Sequence, residues 1–196
     1  MNGAQESANA RDSADVTMIR SSDVDEKSEA HGLFVIECVG ADGRVKWRDT
    51  IENVVTTVGK NLALDTYLAG AAYTVTGPYM GLISSTSFTG VAAGDTMSSH
   101  GGWLEAGNAN VPTYSGTRKT AAWSAASGGS KSLSAALSFA ITGTGTVKGA
   151  FLVYGSGAIN TIDNTGGILY SAGLFTGGDK SVVNTDTLNV SYTASL

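Results

Sequence analysis

One cysteine, two histidines and two prolines among 196 residues leave little reactive or ligating chemistry in this chain. A lone Cys38 excludes an internal disulfide framework and any multi-cysteine metal site, and His31 and His100 are the only imidazoles. Charged residues make up just 15% and show no basic excess, the formal net charge being -5. A nucleic-acid binder needs a basic face to displace counterions from phosphates, so neither DNA nor RNA is an expected partner. The one basic pair, Arg118-Lys119, is too small to change that. No apolar run approaches the roughly 20 residues of a bilayer span, and the first residues lack the basic start and apolar core of a secretory signal. The expectation is a soluble protein with no membrane partner and no export address.

Familiar catalytic patterns are missing too. There is no Gly-rich phosphate loop closing on Gly-Lys-Ser/Thr, no His-Glu-x-x-His, no Gly-x-Ser-x-Gly and no Ser-x-x-Lys. Gly143-Thr144-Gly145 with Gly149 has the wrong spacing for a dinucleotide loop and runs into strand residues where a helix is required. Asp95, His100 and Ser98 or Ser99 could form a hydrolytic triad, and Asp95, Glu105, Asp163, Asp179 and Asp186 could supply paired carboxylates. All sit beside Gly, Thr or Asn, where acidic side chains ordinarily cap turns. Trp47, Trp103 and Trp123 could stack sugars, or equally fill a β core. Cys38 on an apolar strand reads as a buried small hydrophobe. No enzyme activity and no cofactor are expected.

What the chain does have is glycine (26), serine (22) and threonine (22), which fill more than a third of its positions and favour strands and turns over long helices. Charge divides it unevenly. Residues 1–31 carry seven acids against three bases and no aromatic residue, with few large aliphatics (Val16, Met18, Ile19, Val24). Such a segment cannot offset its ordering entropy alone, so residues 1–31 are expected to be an acidic arm, disordered or ordered by a partner. Residues 32–196 are the expected domain.

Within that domain Leu33 to Val39 and Arg44 to Thr50 flank Gly40-Ala41-Asp42-Gly43 and read as a hairpin. Val58 to Ala69 is the one expected helix, with Val58, Leu62, Tyr67 and Leu68 near a 3.6 period and Gly70 as its cap. Pro78 to Ser84 is an apolar, buried strand, and 85–117 a long Gly, Ser and Asn-rich excursion of the kind that is functional or carries minor structure. Leu133, Ala135, Leu137, Phe139 and Ile141 alternate strictly and predict one strand. In Thr146 to Tyr154, Val147, Phe151 and Val153 are assigned to one face, with Ala150, Leu152 and Tyr154 on the other, which predicts a central strand covered on both sides. Ile168 to Phe175 and Leu188 to Leu196 complete the set. Short strands with Gly-rich turns and a single small helix favour an antiparallel two-sheet β-sandwich, jelly-roll-like. Few Lys or Pro residues are in evidence to guard its edges against lateral association.

Several strings are familiar together. They begin with Lys46-Trp47-Arg48-Asp49-Thr50, Asn53, Val55-Thr56, Gly59 and Asn61, then Gly81-Leu82. Ala93-Gly94-Asp95-Thr96-Met97, Ser99-His100, Gly102-Trp103 and Glu105 follow, and then Gly143 to Phe151. Gly173-Leu174-Phe175, Asp179, Ser181-Val182-Val183, Asp186 to Val190 and Tyr192 close the set. From about residue 33 to the last, the chain resembles a family of small virion proteins of tailed double-stranded DNA bacteriophages. The resemblance implies a structural role on the capsid exterior, as a decoration or cement protein made in the host cytoplasm. Its expected partners are the major capsid protein and further copies of itself, and it carries over no catalytic residue. A lattice binder gains by avidity, so the expected contacts are the arm (Val16, Met18, Ile19), the loop around Gly94 to Trp103 (Asp95, Met97, His100, Trp103) and an exposed edge strand. A tail, neck or fibre-base component and a carbohydrate-binding adhesive module are the alternatives.

Overall fold

The structure, a computed structural model, describes residues 30–68 and 76–195. The expected arm contacts Val16, Met18 and Ile19 and the expected helix cap at Gly70 lie outside the described residues. The hairpin forms as its turn chemistry dictates: β1 (His31–Val39) and β2 (Val45–Val55) are joined through Gly43 at φ 75°. A positive φ is cheap only for a residue without Cβ. After β2 come α1 (Thr57–Leu68), β3 (Tyr79–Ser84), β4 (Lys119–Thr120), β5 (Ser130–Ser132) and β6 (Leu137–Ala140). The last four strands are β7 (Gly145–Tyr154), β8 (Ile168–Phe175), β9 (Lys180–Val182) and β10 (Thr187–Ser195).

Hydrogen bonds join the ten strands into one antiparallel sheet in the order β4-β3-β7-β8-β2-β1-β10-β5, with β6 also on β10 and β9 on β7. The sheet curls into a half-barrel. The curl closes on a core of Phe34, Ile36, Cys38, Ile51, Met80, Leu82, Leu152, Phe139, Leu188, Val190 and Tyr192, drawn from strands at both ends of that order. The second layer over β3, β7 and β8 is loop rather than strand. Residues 85–117 fold back across this face, and Met97 and Trp103 pack there on Ile83, Phe151, Val153, Leu169 and Ala172. Backbone bonds Ser84 N to Leu104 O and Ala106 N to Leu82 O, both 2.9 Å, stitch the loop to β3.

Particular elements depart from the sequence pattern for identifiable reasons. β7 is covered on both faces, as expected, but Val147 joins Ala150 and Leu152 rather than Phe151 and Val153. A bulge puts Lys148 between the partners of Ile83 and Ser84, and one extra residue inverts the alternation beyond it. Of the strand expected over 133–141 only β6 (Leu137–Ala140) forms, on one end of β10, while β5, just before that stretch, pairs with the other end. The sheet edges, read as unguarded, are strands of two and three residues carrying Lys119 and Lys131, and short charged strands make poor templates for pairing.

The helix occurs within one residue of its expected span. Thr56 caps it, its hydroxyl accepting from Gly59 N at 3.0 Å, while its own N–H donates to Tyr170 O on β8. Only Gly59 and Leu62 are buried. Of the rest of the expected stripe Val58 is half-buried, while Tyr67 and Leu68 stand in solvent, Tyr67 at 85% exposure, with Leu64 exposed beside them.

Candidate functional site

The loop of residues 92–105 and the side chains beneath it hold most of the residues expected to carry function. Asp95 Oδ2 accepts from Ala92 N and from Trp103 Nε1, both at 2.9 Å. The His100 ring stacks on the Trp103 indole at 3.9 Å between centroids, and its Nδ1–H donates to Trp103 O at 3.0 Å. Asp95 thus spends its carboxylate on the indole and a turn amide, and Ser98 pairs with Thr96 at 3.3 Å. The triad conceivable from the sequence does not assemble. Trp103 is 1% and Met97 2% exposed, which corrects the expectation that they touch a partner or a sugar. They anchor the loop; Asp95 and His100 set its shape.

Beneath this loop is the most buried ionic contact among the described residues. Glu105 Oε1 and Oε2 accept from Arg118 Nε at 2.9 Å and Nη2 at 2.6 Å, and Asp163 N donates to Oε2 at 2.8 Å. Arg118 also donates to Ile159 O and Asn164 O, and its guanidinium lies 5.4 Å from the centre of the Phe151 ring. Burial pushes the Glu105 carboxyl upward, and Arg118 with the Asp163 amide pulls it back. A planar fork with five donors suits this task, since it ties Glu105 in the 85–117 excursion to the turn after β7 in one rigid node. The sequence showed the Arg118-Lys119 pair but gave no sign that Arg118 faces inward.

Two further carboxylates act in the same manner. Asp186 takes Lys46 Nζ at 2.7 Å, Val183 N at 2.9 Å and the Cys38 thiol at 3.7 Å. Asp49 takes Lys180 Nζ at 2.6 Å, Thr50 N at 2.7 Å, Thr176 Oγ1 at 3.0 Å and Gly177 N at 3.1 Å. Burial alone would raise both carboxyls, but the lysines and amides outweigh it and hold each below its ordinary value. For Cys38, burial and the nearby Asp186 charge push the thiol up to about 12, so it is an unreactive core group.

The depressed aspartates fix a pH dependence. Their folded values lie below the unfolded one, near 3.9, so the stability they supply is complete above that pH and is lost as pH falls through the folded values. The urea midpoint is expected to fall steadily below about pH 4, and D49N/D186N to flatten that fall. An equally steep fall in the double variant would contradict this assignment.

Asp49, Asp95, Glu105 and Asp186 each pin a loop or strand end. Among the described residues no three His, Cys, Asp or Glu side chains come together as a metal site, and no helix is long and apolar enough to cross a membrane. No protein-family model, curated protein or solved structure matches the chain.

Beyond the 85–117 loop the same sheet face is left open where it continues from β8 onto β2 and β1. Directly opposed residues share a face, so Leu33 on β1, Glu52 on β2 and Leu174 on β8 form one row, with Val35 beside Thr50 and Val54 beside Ala172 in the rows flanking it. Leu33, Val35, Val54 and Leu174 are each 36–43% exposed. Half-exposed aliphatics across three adjacent strands make a flat, weakly apolar surface.

Proposed function

We propose that the protein is a structural component of a tailed-phage virion, a decoration or cement protein that binds the outer surface of the major capsid protein lattice and stabilises the shell. The observation that carries this reading is the use made of the residues behind the family resemblance. They are spent on holding long loops rigid against a curled sheet, which is what presenting a fixed surface to a repeated lattice demands. The curled sheet with its loop-covered face is read as a jelly-roll-like sandwich in which one layer has been replaced by loop. Contact with the capsid lattice is assigned to the open face of β1, β2 and β8 and to the exposed parts of the 92–102 loop. Weak contacts of this kind sum over neighbouring capsomers and over further copies of the protein.

A ligand that binds the assembled shell and not its free subunits stabilises the shell by mass action. Purified protein added to shells lacking it is expected to co-sediment saturably and to raise their disruption temperature. The V35R/L174R variant is expected to fold normally and to lose most of that binding, because two like charges on the open face cannot be desolvated against a partner. Unchanged co-sedimentation of this variant would remove the face from the account, and no saturable binding by the native protein would overturn the proposal.

A further inference from the structure

At the open end of the half-barrel a groove of about 800 Å³ runs between α1 and the end of β10. Tyr67, Trp123, Tyr154 and Tyr170 line it, with Ser195 and Lys131 among its other lining residues. Its helix side is formed by Ala63 and Tyr67, the latter 85% exposed. Aromatic walls on this scale mark a binding groove.

We infer that the groove is the seat of the chain's own N-terminal arm, with Val16, Met18 and Ile19 as its anchors. Three observations favour that occupant. The arm enters the fold at the groove, because His31, the first residue of β1, pairs with Ser195 in its lining. Its reach is ample, since the twelve residues from Ile19 to His31 extend to roughly 40 Å when stretched. Its charge is complementary, because Lys131 is the only charged side chain lining the groove among the described residues, and residues 1–31 carry seven acids against three bases. Val16-Thr17-Met18-Ile19 is also the densest aliphatic stretch of the arm. Docking at home is favoured by effective concentration, which a tether of this length keeps high.

The test uses the full chain with two added cysteines, the native Cys38 being fully buried. M18C/A126C places one thiol at the proposed anchor and one on the groove wall, where Ala126 is exposed, and N9C/A126C is the control. Tether length alone favours M18C by roughly twofold, from the −3/2 power law, whereas docking is expected to give an intramolecular disulfide more than about tenfold faster than the control. A ratio near two would overturn the inference and leave residues 69–75, which join α1 to Thr76, as the occupant to examine. Cross-links found only in dimers would overturn it in favour of a second copy's arm. A second measurement needs no added thiol. V16S/M18S/I19S is expected to raise binding of a fluorescent apolar dye several-fold by emptying the groove, and dye binding equal to that of the native chain would overturn the inference.

Discussion

Replacing Arg118 with methionine is expected to cost about 3–5 kcal/mol of folding stability, because the substitution leaves the Glu105 carboxylate buried without its counter-charge. The side chains of Arg118 and Glu105 are 0% and 3% exposed, so water cannot replace the lost partner. Carbonyls Ile159 O and Asn164 O lose their donors at the same time. The loss is conditional on the remaining charge, and that supplies the check. R118M/E105L, which removes both charges, is expected to be more stable than R118M alone, since an apolar pair of similar volume avoids desolvation altogether. Urea midpoints of the three proteins decide it. A double variant no better than R118M would mean that the hydrogen bonds to the 155–165 turn, rather than the buried charge, dominate.

Trp103→Ala is expected to cost a similar amount, about 3–5 kcal/mol, by the cavity it opens over Phe151. The indole is the largest fully buried side chain among the described residues, and its Nε1–H is one of the two donors that hold Asp95. Trp103→Phe retains part of the packing and discards that bond, so it is expected to fall between the native protein and the alanine variant. Thermal melts rank the three, and hydrogen exchange is expected to quicken first across residues 92–102. Were exchange there unchanged in W103A, the loop would be held by its backbone bonds alone.

Much of the fold could be read along the chain because period two survives wherever one face is buried. β1, β3, β8 and β10 occur close to where alternation or apolar runs place them. What could not be read was non-local. The inversion at Val147 comes from a bulge set by register with β3, which no pattern in 146–154 announces. The strand expected through Leu133 to Ile141 is shortened to Leu137–Ala140, because the far end of β10 takes Ser130–Ser132 instead and 133–136 turn between the two pairings. For the site, Asp95, Met97, His100 and Trp103 do gather in one loop, as their spacing suggests. Met97 and Trp103 nevertheless read as contact residues, since a large side chain in a Gly-rich loop looks the same in sequence whether it faces water or a neighbouring strand. Arg118, Lys46 and Lys180 find their carboxylates across 13 to 140 positions, a pairing that only the fold discloses.

The most direct measurement of the central claim is the copy number of this protein in purified virions, by quantitative mass spectrometry with the major capsid protein as internal standard. A decoration protein is predicted to appear at a simple fraction of the capsid protein. A few copies per particle would contradict a lattice role and favour the tail, neck or fibre base, and absence from the particle would contradict the virion reading as a whole.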